Sequence, residues 1–130
     1  QINIAQQPKK PSSYHEKGEF YIKKAESYLN KDSTTFNLYL DSAFYISNQY
    51  QFLDIEVRAL IGKGVYFYNK AQYETSIKTY IKALKINEKI NIPSLDAKIY
   101  DNIGLVNYAN QDYDKAIENS LIALAIHLHD

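Results

Sequence analysis

The chain has 130 residues, and its fifteen basic and fifteen acidic side chains cancel to a formal charge of zero; a nucleic-acid reader would gather a basic excess on one face, so that role is disfavoured. An apolar share of 45% excludes a disordered composition, and no apolar run approaches the roughly eighteen residues that direct membrane insertion needs. The absence of Cys removes disulfides, thiolate metal sites and a cysteine nucleophile together. Thirteen Tyr without Trp or Met, and Lys in place of Arg everywhere but Arg58, point to an AT-rich bacterial coding bias.

Residues 1–13 are polar, carry Pro8 and Pro11, and are expected to form a flexible leader. A start at Gln1 without Met fits a processed, exported chain as well as a trimmed one, and export is the expectation. Ser13 followed by Glu16 has the form of a capping box opening a first helix over about 14–30. Lys31 to Thr34 is a polar turn, with Asp32 or Ser33 capping a second helix that reaches about Gln51. A third helix is expected over about 54–69 and, after a turn at 70–72, a fourth over about 73–90. Proline disfavours helix at the residue before it, so Ile92-Pro93-Ser94 is a break, with Ser94 as the expected cap of a fifth helix over about 95–110. Gln111 and Asp112 turn into a sixth helix that starts at Tyr113. Short turns between six helices imply three antiparallel hairpins.

Tyr28, Tyr68 and Tyr108 stand forty residues apart, and so do Ala43, Ala83 and Ala123. A shared period at unrelated residue types marks a copied structural unit. Leu60, Gly64 and Phe67 share one helical stripe in the second unit, facing Tyr73, Ile77, Tyr80, Ala83 and Leu84; Tyr100, Ile103, Gly104, Tyr113, Ala116, Ile117, Ala123 and Leu124 answer them in the third. The glycines are expected to let the helices of a hairpin approach closely, and the alanines to do the same between neighbouring hairpins. A HEAT-type array, also with a period near forty, is the alternative on periodicity alone.

The order bulky residue, small Gly, aromatic, then Tyr with Ala or Ser three further on and Ala seven beyond, resembles the tetratricopeptide repeat (TPR) family. Gln72-Tyr-Glu-Thr-Ser-Ile77 and Asp112-Tyr-Asp-Lys-Ala-Ile117 look like typical openings of its second helix. The likeness covers about Lys17 to Asp130 and is degenerate in the first unit, where Lys24 replaces Gly and Phe36 the small residue. Glu88 and Leu128 stand where the family usually has proline. The resemblance implies an all-α fold, a right-handed superhelix of three antiparallel hairpins over 14–130, with units at about 17–56, 57–96 and 97–130. The longer period adds about six residues, expected at the end of the second helix and in the connection after it.

In the family, the first helices of the hairpins line a concave groove that holds a protein or peptide. Carried onto this chain, the resemblance implies a groove lined by Tyr21, Ala25 and Tyr28, then Arg58, Ile61, Val65 and Tyr68, then Lys98, Asp101, Leu105 and Tyr108. The recurring Tyr has a second reading, as a brace of one hairpin against the next. With Ile61, Val65 and Leu105 in the groove, the family's clamp for a terminal carboxylate is not met. Lys78, Lys82, Lys85 and Lys89 form a basic stripe on the fourth helix, with Glu74 one turn before Lys78.

Residues 121–126 are apolar all round and Leu128 follows, although a terminal helix of a stacked array normally turns a polar face outward. Leu121, Leu124 and Leu128 are therefore expected to meet either a following repeat or a second copy in a homodimer. No phosphate loop, zinc helix or nucleophile elbow is present, and His127 and His129 fall on different sides of a helix, so no metal, cofactor or catalytic centre is expected. Lengthened TPR units with this bias resemble the N-terminal sensor regions of bacterial signalling proteins, which precede a kinase or a DNA-binding output. A stand-alone scaffold and a small-molecule receptor using the Tyr-lined groove are the alternatives.

Overall fold

The structure, a computed structural model, describes residues 11–129; residues 1–10 of the expected leader lie outside the described residues. Among the described residues there are six α-helices and no strand: α1 (Pro11–Tyr28), α2 (Ser33–Tyr50), α3 (Leu53–Asn69), α4 (Tyr73–Ile90), α5 (Pro93–Ala109) and α6 (Tyr113–His129). From α2 onward the helices start at positions 33, 53, 73, 93 and 113, so the forty-residue unit is two equal steps of twenty. Only residues 51–52 and 91–92 separate a second helix from the next hairpin, so the helices absorb the extra length and those connections take none of it.

Helix starts follow the chemistry of the first free amides. Asp32 caps α2: Oδ1 accepts from the Thr34 and Thr35 amides at 3.1 and 3.3 Å, and Oδ2 from the Thr35 hydroxyl at 2.8 Å. Two expected caps are corrected. Helix α1 begins at Pro11, ahead of Ser13, and α5 begins at Pro93 with Ile92 in the cap position, ahead of Ser94. Proline lacks the amide that a first-turn position leaves unbonded, so at each start it is the first helical residue, and the serine behind it is already inside the helix. In place of a capping serine, the buried Asn87 holds the α4–α5 turn. Its Nδ2 donates to the Ile92 carbonyl at 2.9 Å and to Asp96 Oδ1 at 2.8 Å.

Helix ends follow a second rule. Gln51, Ala71, Asn91 and Gln111 have φ of 59°, 59°, 51° and 63°, one left-handed residue every twenty. At Ala71 the Gln72 amide reaches the Phe67 carbonyl at 2.9 Å and the Ala71 amide reaches Tyr68 at 2.9 Å; Asp112 to Asn107 (2.8 Å) and Gln111 to Tyr108 (3.0 Å) repeat the pattern. This paired closure satisfies carbonyls that the helix end leaves free, and the left-handed position usually carries Gly.

The chain divides into two compact units, residues 1–56 and 57–130, so the first turn of α3 belongs to the first and its remainder to the second. In the first unit α1 and α2 form a hairpin. Ala25, Phe36, Leu40 and Ala43 are fully buried, Phe36 filling the position that Ser76 and Ala116 hold in the later hairpins. His15 ties α1 to the first turn of α3 through a 2.5 Å contact from Nε2 to Asp54 Oδ2, with the Phe52 ring edge-on to the imidazole.

In the second unit α3 pairs with α4, α4 packs on α5, and α5 pairs with α6. Gly64 lies under the ring of Tyr80, which is 1% exposed: a Cβ at Gly64 would fall 2.6 Å from Tyr80 Cζ, well inside contact distance. The Ser76 hydroxyl donates to the Gly64 carbonyl at 2.7 Å, fixing the same crossing from the other helix. Burial pushes the Tyr80 phenol above its ordinary range, offset in part by hydrogen bonds with Ser76 and Asn102, so it stays neutral. In the last hairpin a Cβ at Gly104 would meet Ser120 Oγ at 2.8 Å and the Ala116 carbonyl at 3.3 Å. Ala83 and Ala123 are both fully buried. Helix α6, on which Ala123 is buried, packs on α5.

Three outcomes follow from these contacts. In a solvated helix Gly→Ala gains about 1 kcal/mol of helix propensity, whereas overpacking a buried contact costs about 1–3 kcal/mol. Urea denaturation should therefore show Gly64→Ala less stable than the parent, because a buried ring cannot retreat, and Gly104→Ala less affected, because the Ser120 hydroxyl can rotate. Ala71→Gly relieves a left-handed alanine and should raise stability by about 1 kcal/mol in the same assay. Hydrogen bonds to Thr35 lower the Asp32 pKa below its ordinary 3.8. A depressed folded-state value stabilises above the unfolded value and loses that stabilisation as pH falls through the folded one. Thermal melts of parent and Asp32→Ala should thus differ at neutral pH and converge once the pH drops below the carboxylate range.

Candidate functional site

On α5, residues Ala97, Ile99, Ile103 and Val106 are buried while Lys98, Asp101, Leu105 and Tyr108 are exposed. Spacings of three and four residues put the second set on one face, so the expected stripe exists on this helix. Asp101 is already engaged: His127 Nε2 of α6 lies 3.2 Å from its Oδ2. On α3 the same stripe is more enclosed. Arg58, Val65 and Tyr68 are half-buried, and Ile61, at 5% exposure, belongs to the core and offers no groove floor. In the first unit Tyr21 and Tyr28 are half-buried and Ala25 is fully buried.

The recurring tyrosine has a structural partner in every hairpin. Tyr28 stacks on Tyr39 at 5.9 Å between ring centroids, Tyr68 meets Tyr73 at 6.1 Å, and Tyr108 meets Tyr113 at 5.4 Å. The brace therefore runs between the two helices of one hairpin, where the expected alternative placed it between hairpins. A braced ring is held in a defined rotamer, which suits contact with a partner as well as packing. The basic stripe on α4 is in place at its first member, where Lys78 Nζ sits 3.2 Å from Glu74 on an open helix face.

The structure also joins residues that the sequence pattern separates. Leu105 and Tyr108, expected in the groove, line one depression of about 400 Å³ with Leu121 and Leu124, expected on an end face. Gly104, Ala116, Ile117 and Ser120 complete it. Leu105, Tyr108, Ile117, Leu121 and Leu124 are all more than half exposed, and Leu128, outside the depression, is 77% exposed. The repeat position of Ile117 places it on the packed side of the hairpin, whereas the structure leaves it exposed. A smaller hollow of about 370 Å³ in the first unit is lined by Lys17, Tyr21, Leu38, Asp41, Ser42, Tyr45 and Ile46.

Residues 57–90, which make up the α3–α4 hairpin from Val57 onward, match the tetratricopeptide repeat family. This hairpin is a tetratricopeptide repeat. Over 113 residues the chain is 28% identical to response regulator aspartate phosphatase I of Bacillus subtilis (strain 168), an alignment covering 85% of this chain and 29% of that protein. The chain thus spans under a third of the relative's length. No solved structure matches. The repeat identifies α3 and α4 as a fold whose ordinary business is contact with other proteins, and its relative belongs to signalling. None of the described helices is long and apolar enough to cross a membrane.

Proposed function

We propose that this chain is the repeat portion of a larger bacterial signalling regulator and acts by holding a protein or peptide on the exposed face of α5, the first helix of the last hairpin. The observation that carries the reading is the face of α5. One side of this helix is sealed in the core through Ala97, Ile99, Ile103 and Val106, and the other presents Lys98, Asp101, Leu105 and Tyr108 to solvent. Apolar and aromatic groups on such a face give affinity, while a cation and an acid one turn apart set the direction of a bound segment. The relative supports the signalling context, since it is a response regulator aspartate phosphatase and far longer than this chain.

A binding module is stabilised by what it binds. A ligand at a hundred times its Kd adds about 2.7 kcal/mol to the folded state. Thermal-shift screening should therefore find peptides that raise the melting temperature, and Lys98→Glu should weaken those peptides by about tenfold with the helical circular dichroism unchanged. Stabilisation by metabolites alone would favour a small-molecule receptor. Release of phosphate from a phosphorylated response regulator by this chain on its own would overturn the non-catalytic reading.

A further inference from the structure

Helix α4 carries four lysines against two glutamates and is the one described helix with a net positive charge, in a chain whose charges cancel. Lys78, Lys82, Lys85 and Lys89 follow at spacings of four, three and four, so they form a single row about 16 Å long. All four are exposed. Glu74 pairs with Lys78, whereas Lys82, Lys85 and Lys89 make no ion pair with any described residue, although Glu88 stands three residues from Lys85. The fold does not ask for this row. At the same offsets α2 has Leu38, Ser42, Tyr45 and Gln49, and α6 has Glu118, Ile122, Ala125 and His129. Like charges three and four residues apart weaken a helix, so the row works against α4 itself. Ile81 lies within it, three residues from Lys78 and four from Lys85, and is 42% exposed.

We propose that the lysine face of α4 docks an acidic amphipathic helix of another protein. Its carboxylates, at spacings of three and four, run along the lysine row, and one apolar side chain rests on Ile81. Charge complementarity sets the register of such a contact, and the apolar pair adds affinity. Two other polyanions fit less well. Nucleic acid is read through a basic excess gathered on one face, whereas α5 and α6, in the same compact unit, each hold one more acid than base with His counted neutral. An anionic membrane holds a surface helix through a broad apolar stripe, and Ile81 is the single exposed large apolar side chain of α4. The lysine face shares no residue with the α5 stripe.

The test titrates the chain against a labelled synthetic helical peptide that carries glutamates at spacings of three and four around one leucine, read by fluorescence anisotropy. The patterned peptide should bind about tenfold or more tightly than a scrambled peptide of the same composition. Its affinity should fall by about tenfold between low and physiological salt, since exposed charges are screened. Lys82→Glu with Lys85→Glu should abolish binding, Ile81→Ser should weaken it severalfold, and Lys98→Glu should leave it unchanged. These side chains are all exposed, so helical circular dichroism should match the parent throughout. Equal binding of the scrambled peptide, or binding retained by the double variant, would overturn the proposal. Loss of binding in Lys98→Glu would overturn it too, by moving the peptide to the α5 stripe. Duplex DNA or phosphatidylglycerol vesicles bound more tightly than the patterned peptide would give the row to that polyanion instead.

Discussion

The Tyr80 ring lying over the backbone of Gly64 is the contact on which the second unit turns. It demands a residue without a side chain on α3, and it places an aromatic ring where two helices come closest. The hydroxyl of the same ring is met by Ser76 from its own helix and Asn102 from α5, so one residue fixes both the hairpin crossing and the attachment of the next helix. A buried phenol without those partners would carry an unsatisfied polar group, costing about 1–3 kcal/mol. Undocking α5 would leave the tyrosine with Ser76 as its one named polar partner. That couples hairpin formation to stacking, as expected where stability is a sum of units and nearest-neighbour interfaces.

The helix pattern was almost fully legible because it rests on local chemistry. Asp32 followed by two threonines announces a cap, Pro93 announces a start, and the apolar spacing between them leaves little choice of register. Ser13 and Ser94 misled for a physical reason: proline at the first helical position moves the start ahead of the serine, and a side chain inside the helix cannot also cap it. The left-handed closures were illegible because Gln, Ala, Asn and Gln occupy them and glycine never does. The signal there is the twenty-residue beat, visible only once helix and turn are counted together.

The candidate surface was legible by residue and not by partition. A repeat offset assigns a side chain to a helix face, and that was enough to find Lys98, Asp101, Leu105 and Tyr108 on one stripe. It does not say which faces of two packed helices share a hollow, since that depends on how closely the helices approach. Gly104 against Ser120 and Ala116 brings α5 and α6 near enough for Leu105 and Leu124 to line one depression. Ile61 went astray by the same limit. Its offset matches Asp101, yet it is buried where Asp101 is exposed, so an equivalent position did not mean an equivalent environment.

The last two hairpins differ most where the earlier one attaches its successor. At the offset of Tyr80 stands Ser120, and at the offset of Asn87 stands His127. Asn87 reaches forward to clip the following turn, while His127 reaches back to Asp101 within its own hairpin. Both polar attachments of the α4–α5 junction are thus absent from the α6 end, and its apolar side chains are larger or more numerous, with Leu105 for Val65 and Leu128 for Glu88. A junction formed there would draw on apolar burial, worth about 25 cal/mol per Å², with less contribution from buried hydrogen bonds. Such an interface tolerates small shifts in angle that a clipped turn does not, because apolar contact has no preferred direction while a hydrogen bond weakens steeply off axis. Any apolar contact made at the α6 end would therefore be less sensitive to angle than the clipped α4–α5 turn.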